Sequence, residues 1–382
     1  SDLPEGSARR MLEIRQELGK TSNKKYDSLA AATCTDGRMR GTLQFYGANR
    51  SGRWAGRLVQ VQNLPRTYIS GNILPLAREL VKAQNADGLN WIIRTAFIAS
   101  PGNMLLDADF SAIEARVIAW LADEDWVLEV FRTHGKIYEA AASQMFGVPI
   151  EKIKKGQPEY AYRQKGKVAT LALGYQGGVK AMRAMDSGHE LDSLSDEEVQ
   201  ELVNLWRGAN PNIVKLWGIM EAAAKAAVTE GRTSFLPHGV VVSRSIDTNS
   251  GLDFLILQLP SGRSLYYPKP AITQNRFGRP SVSYMGQNQT TKKWERIETY
   301  GGKLAENLTQ AVARDCLADA ITRLEEAGFP VVFHIHDEIV VDVSPEKQDL
   351  AEMKRLMAAV PKWAEGLPLK AEGWSNEFFK KD

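Results

Sequence analysis

The chain has 382 residues, of which 43% are hydrophobic and 25% charged, with 48 Lys and Arg against 46 Asp and Glu for a formal net charge of +2. This is the composition of a globular chain long enough for two or three domains, and so even a balance gives no global argument for nucleic acid. Cys34 and Cys316 form no zinc spacing and no disulfide framework, which points to a reducing cytosolic setting. No apolar run reaches membrane-spanning length, and no secretory signal is expected.

In chain order, residues Ala8 to Leu18 read as a short amphipathic helix. Ser1 in place of an initiator Met is expected of a processed end or of a piece of a longer chain. Thr42 to Arg66, rich in Gly, Arg, Gln and Asn, reads as a loop suited to touching a ligand backbone. A helix over Leu74 to Gln84 leads into an apolar, β-type run, Asn103 to Asp109, and a helical stretch follows at once from Ala112 to Leu121. From Trp126 to about Gln258 the chain is expected to be mainly helical. Its stops are Gly147-Val148-Pro149, Gly177-Gly178, Asn210-Pro211 and Pro237-His238-Gly239.

Strands are expected at Leu255-Ile256-Leu257, Leu265-Tyr266-Tyr267 and Ser281-Val282-Ser283-Tyr284. A helix from about Gly302 to Ala327 then feeds Pro330 to Val343, two β-branched segments around His336-Asp337-Glu338, as in a tight hairpin. A last helix is expected from Pro345 to Ala359. No internal repeat or low-complexity tract is visible. The order is α+β, with acidic strands at both ends of a helical insertion.

Asp109 and Asp337 are the strongest chemical signal. Each ends or interrupts a hydrophobic β-type run, and two carboxylates brought side by side by folding suit two hard divalent cations that clamp a phosphoryl transfer. Basic residues crowd the first part of the chain (Lys24, Lys25, Arg38, Arg40, Arg50, Arg53, Arg57) and recur from Arg276 to Arg296. The centre, including Asp107, Asp109 and Glu114, is acidic. Such flanks suit an enzyme acting on a polyanion.

Arg163, Lys167, Leu171 and Tyr175 recur every four residues and so make one slowly rotating stripe on a helix. The stripe runs from two cations through an apolar side chain to a ring. It can neutralise a triphosphate at one end and stack a sugar and base at the other. A solvated helix face is the plain alternative. His134, His189 and His238 read as surface or packing residues, and Met145, Met182, Met185, Met220 and the tryptophans Trp91, Trp120, Trp206 and Trp217 as core.

Three segments together resemble family A DNA polymerases, the DNA polymerase I type. Asp109 to Arg116 resembles motif A, Arg163 to Tyr175 motif B, and His336-Asp337-Glu338 motif C, in the family order. Arg53 with the run Val61-Gln62-Asn63-Leu64-Pro65-Arg66, and Thr309-Gln310-Ala311 on a helix, resemble flanking segments. The resemblance runs from roughly Lys25 to the C-terminus and looks phage-like.

It implies a right-hand core: an antiparallel palm sheet, a helical fingers insertion, and a thumb largely absent. The expected division is a thumb remnant over 1–30, palm over 31–121, fingers over 122–270 and palm again over 271–382. The implied reaction is template-directed addition of deoxynucleotides to a primer 3′-hydroxyl with release of pyrophosphate. Asp109 and Asp337 would hold two Mg²⁺ ions, with Mn²⁺ also suitable, and Glu338 and Lys167 would assist the chemistry.

Arg163, Lys167, Leu171, Tyr175, Glu114, Phe110, Ser111 and Tyr138 would bind the incoming nucleotide, and Arg53, Gln62, Asn63, Gln310 and His336 the DNA. The stem of Glu114 would stand where a ribose 2′-hydroxyl would go and so select deoxynucleotides. Two departures from the family pattern are Leu171 in place of an aromatic residue and Tyr138 where many bacterial members have a histidine.

The implied partners are a primed DNA template, deoxynucleotides and missing thumb or exonuclease domains of a parent protein. A monomer in the cytoplasm of a bacterial or phage-infected cell is expected. With little to grip the duplex, DNA affinity should fall quickly with salt. The rival functions are a single-subunit RNA polymerase, a catalytically weak DNA-binding fragment and a metal-dependent nuclease.

Overall fold

The computed structural model describes residues 24–65, 73–83 and 92–380, together with Met11. The expected helix at Ala8–Leu18, most of the 1–30 segment, Arg66 and Trp91 lie outside the described residues.

The elements follow in chain order. Helix α1 (Lys24–Ala32) precedes strands β1 (Leu43–Ala48) and β2 (Arg53–Gly56), helix α2 (Ile73–Lys82) and strand β3 (Met104–Phe110). Seven helices come next: α3 (Ile113–Ala122), α4 (Asp125–Arg132), α5 (Ile137–Phe146), α6 (Tyr160–Leu173), α7 (Val179–Met185), α8 (Asp196–Ala209) and α9 (Pro211–Glu230). Seven strands follow: β4 (Ser234–Phe235), β5 (Val241–Asp247), β6 (Leu252–Gln258), β7 (Ser264–Pro268), β8 (Ala271–Gln274), β9 (Pro280–Gln287) and β10 (Trp294–Thr299). The chain ends with helix α10 (Gly301–Glu326), strands β11 (Val331–Ile335) and β12 (Glu338–Val343), helix α11 (Leu350–Met357) and strand β13 (Ala371–Asn376).

The chain divides into two compact units, one of Ser1–Phe110, Ala320–Met357 and Ala371–Asp382, the other of Ser111–Asp319 and Ala358–Lys370. The first is built on a four-stranded antiparallel sheet in the order β11-β12-β3-β13. Strands β3 and β12 are central, and all of their residues except Met104, Asp109 and Asp342 are buried, as in strands covered on both faces. Val59, Val61, Leu64, Ile93, Leu105, Val340 and Phe379 form its core. Burying each such side chain contributes about 1.5–3 kcal/mol. Buried Arg94 fixes the chain before α2, donating to the Leu64 and Pro65 carbonyls at 2.8 Å each.

On β12, Asp342 accepts hydrogen bonds from the Ser100 backbone and from Asn103 Nδ2 at 3.0 Å, riveting the turn before β3 to the sheet. Strand β13 closes the other edge. A Cβ at Gly373 would stand 2.0 Å from the Asp107 carbonyl, so only glycine lets this strand approach β3 so closely.

The second unit holds the helices α3 to α9, a four-stranded sheet β4-β5-β6-β7 and a three-stranded sheet β10-β9-β8. Trp120, Trp206 and Trp217 are buried in it, as are Met145, Met182 and Met220. Met185, expected in the core, is exposed. Helix α10 begins with two glycines for a steric reason. A Cβ at Gly301 would lie 1.9 Å from the Trp217 carbonyl of α9, and one at Gly302 would lie 2.6 Å from that of Tyr175. Helix α9 starts at Pro211, whose missing N–H costs nothing there, and the Glu124 carboxylate accepts from the Asn212 and Ile213 N–H groups at 2.9 and 3.1 Å.

The mixed α+β order stands, with four local corrections. Thr42–Arg66 is not an irregular loop throughout, because Leu43–Ala48 pairs with Arg53–Gly56 in the β1–β2 hairpin. The helical stretch ends at Glu230 rather than near Gln258. Gly231, at φ +67°, stops α9, and the β-branched run Val240-Val241-Val242 enters a strand. The last helix begins as a 3₁₀ turn at Pro345–Lys347 and becomes α-helical only over Leu350–Met357. Strand β13 was not expected, since AEGWSN contains no β-branched residue.

Candidate active site

The acidic strands meet in the first unit. The β3–β12 ladder sets Glu338 directly opposite Asp109 and Ile339 opposite Ala108. Directly opposed residues on one sheet face have Cβ atoms about 4.5–5.5 Å apart. The Phe110 N–H donates to the Asp337 carbonyl at 3.0 Å, which ties the hairpin tip to the end of β3. Asp109 and Asp337 are half-buried, and Glu338 and Phe110 are buried.

The tip itself is tight. Ile335 pairs with Glu338, leaving His336 and Asp337 as a two-residue loop with His336 at φ +51°. Glycine is the usual occupant of that backbone region, and a side chain there costs about 1–2 kcal/mol. The exposed His336 ring is thus presented at the tip beside Asp337 at a backbone cost.

A second neighbour of Asp109 escaped the sequence: Glu372 of β13 opposes it from the other side of β3. No local signal marked that residue, because its place depends wholly on which strand pairs with β3. Arg53 lies on β2, and Gln62 and Asn63 on the 3₁₀ turn Val61–Asn63, where Asn63 Nδ2 donates to Gln60 Oε1 at 3.0 Å. The Gln62 amide packs against Gly56, where a Cβ would stand 2.3 Å from it.

Among the described residues no group of three or more His, Cys, Asp or Glu side chains is arranged to hold a metal ion. Two carboxylates with hard oxygen donors nonetheless fit Mg²⁺, which keeps most of its shell for water and phosphate and takes few protein ligands.

The remaining predicted residues lie in the second unit. Arg163, Lys167 and Leu171 recur along α6 as the spacing predicts, and Tyr175 follows just beyond its end. Arg163 is already engaged through one of its nitrogens. Its Nε donates to Glu139 Oε1 at 2.7 Å, and its guanidinium lies 5.5 Å from the ring centre of Tyr138 and 5.7 Å from that of Tyr160. The Glu139 hydrogen bond pushes the Arg163 pKa further up, and burial pushes that of Tyr138 up. Tyr138 is therefore a neutral aromatic seat for Arg163, and Glu139 is a site neighbour that the sequence did not reveal.

Gly166 makes the packing possible, since a Cβ there would stand 2.6 Å from the Tyr138 carbonyl of α5. Lys167 is half-buried, and among the described residues its ammonium has no hydrogen bond or ion pair. Leu171 is 48% exposed, an apolar side chain presented outward from a helix.

Glu114 stands in the first turn of α3 and accepts a hydrogen bond from the Tyr175 hydroxyl at 2.7 Å. Ser111, before it, donates its N–H to the Lys370 carbonyl at 2.9 Å. Arg116 is buried, donating to the Ser111 and Pro368 carbonyls at 2.6 and 2.7 Å, so this arginine of the motif is structural. Gln310 is half-buried on α10.

A family model described as DNA polymerase family A matches residues 4–228. The DNA polymerase of Bacillus phage SP02 is 51% identical over 388 residues, covering 98% of this chain and 57% of that protein. DNA polymerase I of Pseudomonas aeruginosa is 40% identical over 266 residues, 68% of this chain and 23% of the relative. The chain thus spans a little over half the length of the phage relative. The POL domain of Pol1 from M. smegmatis, solved in complex with DNA primer-template and dNTP, shares the fold. Its TM-score is 0.58 at 18% identity, over 92% of this chain and 50% of that one. A model match over more than half of the residues, in a range that includes β3 and the α6 stripe, shows that this chain belongs to DNA polymerase family A.

Proposed function

We propose that this chain extends a primer on a DNA template, adding deoxynucleotides to the 3′-hydroxyl and releasing pyrophosphate. The observation that carries this reading is the meeting of β3 and β12, which brings Asp109 beside Glu338 and ties the Asp337 backbone to Phe110. Family membership, and a structural neighbour solved in complex with DNA primer-template and dNTP, support it.

In this reading the Ser1–Phe110 unit is the palm and the Ser111–Asp319 unit carries the fingers. Asp109 and Asp337 would hold two divalent cations, Mg²⁺ or Mn²⁺. When bound, these would lower the pKa of the primer hydroxyl and neutralise charge on the triphosphate. Glu338 and Glu372 add negative charge beside Asp109 and so strengthen its hold on a cation. His336, presented at the hairpin tip, positions the primer end, and Arg53, Gln62, Asn63 and Gln310 hold the DNA.

Lys167 neutralises phosphate charge and can donate a proton to the departing pyrophosphate. Arg163 adds charge from a fixed seat on Tyr138 and Glu139. Phe110 and Ser111 supply backbone near the phosphates, and Leu171 and Tyr175 pack on the sugar and base. Glu114, with its carboxylate held by Tyr175, fills the space of a 2′-hydroxyl. That bond favours a DNA over an RNA polymerase, because an ordered carboxylate rejects the extra hydroxyl more firmly than a mobile one.

The test is extension of a labelled primer on a short template at low salt with Mg²⁺, using deoxy- or ribonucleotides in parallel, beside Asp109→Asn and Asp337→Asn. Template-dependent extension with deoxynucleotides, lowered at least about 10³-fold in either variant and abolished by chelator, is expected. Extension that survives both substitutions would overturn the assignment of the carboxylates. Faster use of ribonucleotides would favour the RNA polymerase.

A further inference from the structure

The second unit contains a polar cleft of ≈ 910 Å³ that the proposed chemistry does not use. Its walls come from α8, α9 and the β8-β9-β10 sheet, and it is lined by four cations, Arg207, Lys225, Arg276 and Arg279. Glu221 also lines it but is held by Lys225 at 2.6 Å. That leaves three arginines facing the single carboxylate of Glu298.

Arg207 is built into the wall. It lies 5.8 Å from the ring centre of Trp217 and donates to the Gly177 carbonyl at 3.0 Å. Its Nε is buried and has no partner among the described residues. The hydroxyl of Thr299, only 1% exposed and also lining the cleft, is likewise buried without a partner there. Two buried donors without a partner, one on α8 and charged, the other on β10, thus border the cleft from two sides, and each is costly unless an acceptor reaches it.

The rim is aromatic and rigid. Strands β8 and β9 are joined by Asn275-Arg276-Phe277-Gly278-Arg279. The Asn275 side chain accepts from the Phe277 and Arg279 N–H groups at 2.9 and 3.1 Å and so fixes the loop. Phe277 is 70% exposed, with the Arg276 guanidinium 4.7 Å from its ring centre, and Tyr300, which follows β10 at the same end of the sheet, is 44% exposed. An ordered loop that holds a large ring in water between two arginines has no packing reason to do so. Cations interleaved with exposed rings are the chemistry of single-stranded nucleic acid, where guanidinium groups take phosphates and rings stack on bases of any sequence.

We propose that this cleft binds single-stranded DNA, with phosphates on Arg207, Arg276 and Arg279 and bases on Phe277 and Tyr300. Gln176, next to Tyr175 of the nucleotide stripe, lines the same cleft. The strand it takes is then the unpaired template that has yet to be copied. That last identification rests on the polymerase reading; the binding itself does not.

The test is fluorescence anisotropy of a dye-labelled oligo(dT) of about twelve nucleotides, a length within the usual range of single-strand sites. The proteins are the wild type, Arg276→Gln/Arg279→Gln, Phe277→Leu and Phe277→Trp, each checked by thermal melting. The double variant should bind about tenfold more weakly, and its slope of log K against log salt should fall by roughly 1.4, the value for two lost phosphate contacts on a single strand. Phe277→Leu should lose about fivefold or more, and Phe277→Trp should keep the affinity.

A second arm compares extension on templates with a one-nucleotide or a long 5′ overhang. Only the long overhang should be used less well by the first two variants. Unchanged affinity and slope in those variants, no oligo(dT) binding by the wild type, or tighter binding of blunt duplex would overturn the proposal. Loss of extension on every template, with the binding differences intact, would remove the polymerase reading and leave the site standing.

Discussion

The Tyr175 hydroxyl donates to Glu114 Oε2 at 2.7 Å, joining side chains 61 residues apart in sequence. One belongs to the first turn of α3 and the other follows the end of α6, so the bond couples the carboxylate to the segment that carries the cationic stripe. Glu114→Ala should raise kcat/KM for ribonucleotides relative to deoxynucleotides by about 10–200-fold, the range for one steric or polar discriminator in a pocket. Tyr175→Phe, which removes only the donor, should move the ratio the same way by about fivefold, as for one hydrogen bond. Single-nucleotide incorporation kinetics measure both. An unchanged ratio in Glu114→Ala would sink the gate.

The two cations of α6 differ in their surroundings, and so should their substitutions. Arg163 already spends charge on Glu139, whereas the Lys167 ammonium makes no ion pair among the described residues. Lys167→Met should therefore cost about 10–100-fold in kcat/KM for the deoxynucleotide, the worth of a charge-assisted contact, and Arg163→Met less. The reverse order would mean that Arg163 leaves Glu139 when the nucleotide binds.

Leu171 presents an apolar side chain where an aromatic residue is usual in the family. Leu171→Phe places a flat ring on the same exposed face of α6 and should change the discrimination between deoxy- and dideoxynucleotides by about 2–12-fold, the worth of an aromatic contact. Competition assays measure the ratio. Equal ratios for both proteins would remove Leu171 from the sugar.

Glu124 tests the frame rather than the chemistry. Burial raises its pKa more than the Asn212 and Ile213 N–H groups lower it, so the folded state holds the proton more firmly than the unfolded one. Its contribution is then full below the ordinary glutamate range and is partly lost as pH rises through the raised folded value. Glu124→Gln, which still accepts both bonds and cannot ionise, should melt at or above wild type at pH 7 and match it near pH 4. Glu124→Ala strands two helix donors and should cost about 2 kcal/mol. Thermal melting at the two pH values checks both, and equal melting of all three proteins would dismiss the cap.

By itself the sequence determined whatever rests on neighbouring residues. Apolar runs ending in Asp109 and Asp337 are strands because β-branched and aliphatic residues repeat there. The four-residue spacing from Arg163 to Tyr175 makes a helix face, and the glycine and proline stops end helices where a chain cannot continue them. The helices Leu74–Gln84 and Gly302–Ala327 were legible for the same reason, and lie at Ile73–Lys82 and Gly301–Glu326.

Only the tertiary structure decided the pairings. Strand register put Glu338 and Glu372 on either side of Asp109. Helix packing across Gly166 gave Arg163 to Glu139 and seated it by Tyr138, and the meeting of α3 with the end of α6 gave Glu114 to Tyr175. Strand β13 stayed hidden because AEGWSN is a weak β former held by its hydrogen bonds to β3, and the β1–β2 hairpin because its two short strands sit among glycines and polar residues and pair only with each other. A local pattern sets which way a side chain faces along its own element. What that side chain meets depends on register and on close backbone contacts between distant segments, which no short window of sequence contains.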